Sequence, residues 1–277
     1  MTDFNINKVA KIRRSVRTYT GIPLTESDKE KVNAYIDSLS GQEHPFDAKV
    51  RIKLFDVDKE ISAKDLGTYG VIKGAKSYLG VAVNETEEAM EAVGYVFEKL
   101  VLYSASLGLG TCWLGGTFNR GEFAKAMKLE KDEFFPIASP IGYAATKNHT
   151  VDKIMRKAIK ADKRKDFEEM FFENDFSTPL SKEKAGEYAD ILEALRLAPS
   201  AKNAQPWRIL KDGNSFHFFE KKTIPSSSHD IQRLDIGIAG CHFELAAKEK
   251  GIGGKLTALK NHPEEKGLIY VFSWVTE

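Results

Sequence analysis

Two stretches decide how this chain is read: GYVFEKLVLYSASLGLG at residues 94–110 and GIAGCHFELAAKEKGIG at residues 237–253. Gly94, Leu102, Gly108 and Gly110 recur as Gly237, Leu245, Gly251 and Gly253, all at an offset of 143. Four matches in one register are hard to obtain from unrelated helices, although buried helices often end in glycine. Pro23-Leu24-Thr25 also returns as Pro179-Leu180-Ser181, again at a helix start, and His44-Pro45-Phe46 faces Gln205-Pro206-Trp207. A fixed offset of this kind is the mark of an internal duplication. The expected organisation is a first half over 1–145, a crossing arm over 146–178 and a second half over 179–277.

Around this repeat the pattern mixes helix and strand. Lys8 to Arg14 reads as a short basic helix. Thr25 is an N-cap for the next helix, with Asp28 as its capping-box partner and Gly41 as the stop. Lys49 to Val57 alternates as a half-buried strand, and Ser77 to Asn84 reads as a more buried one. Glu85 to Gly108 is a long helix, apolar over a wide arc. A short helix near Arg120 to Lys128 and a strand near Ile137 to Ala144 follow. The arm is rich in Lys, Arg and Glu, ends in the apolar-acidic stretch Met170 to Phe176, and reads as a crossing element outside the core. The second half has a helix at Ala189 to Leu197 and strands at Trp207 to Leu210, Ser215 to Glu220 and Gly267 to Val275. The expected fold is therefore α+β.

Composition narrows the class. The 277 residues are 42% hydrophobic and 29% charged, with a net charge of +1, so bulk electrostatics do not favour nucleic acid or an anionic membrane. Cys112 and Cys241 form neither a disulfide framework nor a zinc spacing, and the first residues lack an apolar signal core. Ala92 to Phe118, the most apolar stretch, is broken by Glu98, Lys99 and five glycines, which argues against a membrane span. A cytoplasmic location is expected.

Three strings carry the chemistry. In Arg13-Arg14-Ser15-Val16-Arg17 the residues Arg13, Ser15 and Arg17 alternate, so an extended segment points all three the same way. Two guanidiniums and a hydroxyl suit a phosphate; the competing reading is a solvated helix end. Ala198-Pro199-Ser200-Ala201-Lys202-Asn203-Ala204-Gln205-Pro206-Trp207 couples stiffening prolines with amides that both donate and accept, which suits a planar heteroaromatic ligand. Gly108-Leu109-Gly110-Thr111-Cys112-Trp113-Leu114-Gly115-Gly116 lets backbone N–H groups approach a ligand. It is neither a Walker loop nor a dinucleotide fingerprint. Cys112 has no neighbouring His and reads as packing. The six histidines are scattered, and no acid–base pair stands out.

Together RRSVR, APSAKNAQPW and GLGTCWLGG resemble the FMN-dependent nitroreductase family, with the match spanning most of the chain, from about Ile12 to Arg164. The resemblance implies subunits with a mostly antiparallel sheet flanked by helices, and a flavin held by two subunits. By that resemblance Arg13, Ser15 and Arg17 hold the phosphate and ribityl chain, and Pro199, Ser200, Asn203 and Gln205 line the flavin. Arg164, with Lys163 and Lys165 as rivals, completes the phosphate site, and Gly115 and Gly116 lie near the ring.

The departure from the family is that each half keeps a different motif. Ser40-Gly41-Gln42-Glu43-His44-Pro45-Phe46 retains only the Pro-aromatic pair where the amide string belongs. The second half opens on Glu173-Asn174-Asp175 in place of the arginines. The resemblance thus implies two fused subunits packed as a pseudo-dimer, one complete FMN site per chain, and a mirror site spoiled by Glu173 and Asp175. A monomer is expected. So is a ping-pong cycle in which NAD(P)H reduces the flavin and a nitroaromatic, quinone or similar acceptor reoxidises it. The alternative is a non-catalytic flavin- or anion-binding module on the same fold.

Overall fold

The computed structural model describes residues 4–40, 42–62, 64–68, 70–147, 149–225 and 229–276. Helix α1 (Ile6–Ile12) is followed by an extended segment and by α2 (Glu26–Ser40). The Thr25 side chain accepts the amide of Asp28 at 3.1 Å and donates to the Asp28 carboxylate at 3.0 Å, the expected cap. The stop assigned to Gly41 falls outside the described residues. Strands β1 (Val50–Asp56) and β2 (Ser77–Asn84), helix α3 (Ala89–Ser106), strand β3 (Gly110–Thr111), helix α4 (Arg120–Met127) and strand β4 (Glu133–Gly142) follow. Helix α5 (Thr150–Ala158), strands β5 (Phe171–Glu173) and β6 (Asp175–Pro179), and helices α6 (Lys182–Ala185) and α7 (Ala189–Arg196) come next. The chain closes with β7 (Trp207–Asp212), β8 (Ser215–Glu220), α8 (Ile231–Glu249), β9 (Gly254–Thr257) and β10 (Ile269–Thr276).

The chain divides into two compact units: Ile12–Ala89 with Val96–Ala161, and Met1–Lys11 with Met90–Tyr95 and Asp162–Glu277. The first contains a four-stranded sheet of order β1-β2-β4-β3, antiparallel throughout. Its core is aromatic: Phe55, Tyr78, Phe118 and Phe135 surround Phe123, with ring centroids 5.6 Å apart for Phe118 and Phe123. The second unit contains a six-stranded sheet of order β6-β5-β7-β8-β10-β9. Here Trp207, Phe218, Phe243 and Trp274 are fully buried.

The duplication is visible in the topology. The run β7-β8-β10-β9 repeats β1-β2-β4-β3, and a long helix follows the second strand in each case. Both helices end alike. Gly108 and Gly251 take φ of +78° and +75°. The next amide returns to the helix, Leu109 to the Ser104 carbonyl and Ile252 to the Ala247 carbonyl, each at 2.9 Å. Only a left-handed residue allows this closure, which is why glycine recurs there.

Residues 146–178 do more than cross. Their first part carries α5, and their last part forms β5 and β6, with Phe171 fully buried beside β7 in the only parallel pair among the described strands. The expectation of an element outside the core missed this because the apolar run at its end is interrupted by acids and its strand is only three residues long. The acids Glu173 and Asp175 are corrected with it. Glu173 pairs with Lys211 at 3.2 Å, and the Asp175 carboxylate accepts the Ser177 amide and two hydroxyls at the β5–β6 turn. They flank the β5–β6 turn and have partners of their own. No helix among the described residues is long and apolar enough to cross a membrane.

Candidate functional site

The predicted residues form two clusters, one in each compact unit. The first grows from the end of α1. Arg13 and Arg14 lie beyond its last turn, and the chain then runs extended: the Val16 amide donates to the Thr111 carbonyl at 2.8 Å, and Tyr19 and Thr20 dock on Lys73 and Tyr143. Val16 packs directly on Gly110, where an added Cβ would meet Val16 Cγ2 at 2.7 Å. Gly110, read as part of a ligand loop, therefore seats the arginine segment.

Extended backbone sets the alternation. Arg14 is exposed, while Arg13 is half-buried and Arg17 is buried. Ser15 makes a side-chain hydrogen bond with the Cys112 thiol, and the charges of Arg13 and Arg17 both bear on that thiol. Burial pushes the thiol pKa up, which keeps it a protonated packing group.

The two arginines have different surroundings. Arg17 Nη1 donates to Asp152 Oδ1 at 3.1 Å, with both side chains almost wholly buried. Arg156, one turn after Asp152 on α5, bears on Arg13, as does Glu98, which accepts the Trp113 indole N–H at 2.9 Å. The buried Nε of Arg13 has no hydrogen-bond partner. Burial lowers the Arg13 pKa from its ordinary value. Three guanidiniums thus face two carboxylates, and Arg13 is the cation whose buried donor is unused. Asp152, Arg156 and Glu98 were missed from sequence. Gly115 and Gly116 are exposed on the turn after β3, where Arg120 donates to the Gly115 carbonyl at 2.9 Å.

The second cluster is the loop between α7 and β7. Lys202, Asn203 and Gln205 take φ of +51°, +56° and +49°, a region that side chains other than glycine rarely occupy. Local bonds hold them there. Ser200 Oγ accepts the Gln205 amide at 2.9 Å, and Asn203 Nδ2 donates to the Lys163 carbonyl at 3.0 Å. Arg164 donates to Asn203 Oδ1 and to the Leu197 carbonyl at the end of α7, both at 3.2 Å. Gln205, buried, accepts the Lys165 amide at 2.8 Å and donates to the Asn203 carbonyl at 3.1 Å. Pro199 is buried at the loop entrance. Ser200, Asn203, Gln205 and Arg164 are thus brought together, with Arg164, which the resemblance put with the phosphate ligands, bonded to Asn203 and Leu197. Yet the Asn203 and Gln205 amides, read as facing a ligand, bond within the loop and to 163–165. Lys165 donates through Nζ to the Gln205 carbonyl at 3.3 Å, and burial lowers its pKa. Among the described residues no group of three or more side chains could hold a metal ion.

Comparison with known proteins identifies the family. Residues 5–247 match the family model described as "Putative TM nitroreductase". The chain belongs to this nitroreductase family. Membership places it among the flavin oxidoreductases. No match is found among curated proteins. A solved "putative nitroreductase" from Thermotoga maritima is 20% identical with a TM-score of 0.62, covering 98% of this chain and 94% of its own, a likeness that shows the fold. A nitroreductase family protein from Clostridium difficile is 17% identical with a TM-score of 0.43, covering 56% of this chain and 92% of its own. A "putative nitroreductase in complex with FMN" from Desulfovibrio desulfuricans is 19% identical with a TM-score of 0.40, covering 55% and 96%.

Proposed function

We propose that this nitroreductase-family chain is an FMN-dependent NAD(P)H oxidoreductase with one flavin per chain, acting on nitroaromatic, quinone or similar electron-poor acceptors. One observation carries the reading: Arg13 keeps a buried guanidinium N–H without a partner, in a cluster where cations outnumber carboxylates. A buried donor left unmade is costly, and a phosphate oxygen would satisfy it.

Arg13, Ser15 and Arg17, joined by Arg164, are assigned to the phosphate and ribityl chain. Pro199, Ser200, Asn203 and Gln205, with the backbone of Gly115 and Gly116, are assigned to the ring. Asp152 neutralises part of the Arg17 charge and fixes its fork, so Arg13 contributes most of the net attraction. The internal bonds of the Pro199–Gln205 loop hold it in shape before a ligand arrives, which lowers the ordering cost of binding. FMN, when bound, supplies hydride acceptance from NAD(P)H and delivery to the acceptor in a ping-pong sequence, and the protein supplies position and electrostatics. Single stoichiometry follows from the motifs, since each half has kept only one of the two sets. A monomer in the cytoplasm is the corresponding expectation.

The test is a visible spectrum and a flavin titration of the purified chain, followed by anaerobic addition of NADH and of NADPH. One FMN per chain, bleached by at least one nicotinamide, is the expected result. Absence of flavin binding refutes the cofactor assignment, and a ratio near two refutes the single site. A bound flavin that neither nicotinamide reduces turns the reading into a non-catalytic flavin module.

A further inference from the structure

Both carboxylate oxygens of Asp235, in the second turn of α8, lie within hydrogen-bond distance of the Ala201 amide, at 3.0 and 3.1 Å. Asp235 is only 1% exposed. A buried carboxyl is costly unless it is used, and this one accepts the N–H at the head of the turn Ala201–Asn203. That turn opens the stretch in which Lys202, Asn203 and Gln205 all take positive φ. Strained backbone of this kind persists only where its surroundings hold it.

The duplication supplies an internal comparison. At the offset of 143 that relates Gly94 to Gly237, the residue matching Asp235 is Ala92. The first half, which carries alanine there, is also the half whose amide string has decayed to Ser40–Phe46. Acid and loop are present together in one half and absent together in the other. A helix residue that served only its own helix would have no reason to follow the loop.

We infer that Asp235 is a positioning residue that sets the backbone of the Ser200–Gln205 loop from beneath. It acts through the Ala201 amide and touches neither acceptor nor nicotinamide. Its consequence for cofactor affinity rests on the flavin reading above; its consequence for the loop does not. Asparagine keeps an acceptor in the same place, whereas alanine and leucine leave the half-buried Ala201 N–H without one.

The experiment compares wild type, Asp235→Asn, Asp235→Ala and Asp235→Leu by hydrogen–deuterium exchange of the apoprotein and by FMN titration. Leucine fills the volume that alanine vacates, so a folded variant without the acceptor is available even if alanine fails to fold. Exchange of the 201–207 amides should rise at least tenfold in the Ala or Leu variant, while the middle of α8 stays protected, and Asn should restore most of the protection. FMN dissociation should weaken tenfold or more in the Ala or Leu variant and less than threefold in Asn. Unchanged loop exchange in a folded Ala or Leu variant overturns the positioning role whatever the flavin result. Altered exchange in a chain that binds no FMN in any form supports the positioning role and refutes only the flavin reading.

Discussion

Gly94 and Gly237 meet through the same contact made in both directions. A Cβ on Gly94 would lie 2.0 Å from the Leu234 carbonyl oxygen, and one on Gly237 would lie 2.1 Å from that of Glu91. Leu234 and Glu91 each stand three residues before a glycine, at the same offset of 143. The residues 90–95 and α8, grouped in one compact unit, therefore cross as two copies of one surface, the self-complementary contact expected of a duplicated element. The backbones touch, so no side chain can yield.

Alanine at either glycine should accordingly be severe. Gly94→Ala and Gly237→Ala are each expected to lower stability by about 3 kcal/mol or more, as overpacking against backbone does. Gly121→Ala, where an added Cβ would come no nearer than 3.6 Å to the Asn119 side-chain oxygen, serves as the tolerant control. Chemical denaturation reads all three, and a neutral Gly94→Ala would contradict the close crossing.

The alternation beyond α1 separates adjacent arginines. Arg13→Ala should weaken FMN binding by tenfold or more, in line with the roughly 1.5 kcal/mol of a charge-assisted hydrogen bond. Arg14→Ala, at an exposed position, should change it less than threefold. Equal losses in the two titrations would remove the geometric argument for Arg13.

Arg17 and Asp152 should behave as a buried pair. Removing Asp152 leaves a guanidinium nearly out of water, so Asp152→Ala is expected to cost about 3 kcal/mol in urea unfolding. A loss below about 1 kcal/mol would show that water reaches Arg17 freely and that the pair contributes as a surface one does.

Burial holds the Asp235 carboxyl well above the ordinary carboxylate range, and the nearby Asp230 and Glu220 push the same way against the Ala201 N–H bond. A raised folded pKa gives a contribution that is complete below the unfolded value of about 3.9 and is lost as pH rises through the folded value. Asparagine does not titrate. The stability of Asp235→Asn relative to wild type should therefore grow from pH 4 to pH 7 in thermal melts, and two parallel pH profiles would count against the shift.

Much of the local structure could be read before the fold was known. The Thr25–Asp28 box and the glycine ends of α3 and α8 announce themselves within a few residues, because caps and left-handed turns are short-range. The arm was harder. Its charges outweigh Phe171, and strand β5 is only three residues long, too short to establish a period. The candidate site was legible as motifs and opaque as geometry. Asp152 lies 135 positions from Arg17, and Asp235 lies 34 from Ala201.

The amino-acid sequence by itself determined the duplication, the family and the unequal inheritance of the two motif sets, because repeats and motifs are properties of order along the chain. Only the tertiary structure decided that Gly110 seats Val16, that Arg17 belongs to Asp152 while Arg13 keeps a spare buried donor, and that the amides of the Ser200–Gln205 loop hold the loop itself. Such pairings follow from which groups lose water together, and that is settled by folding in three dimensions and by no local spacing.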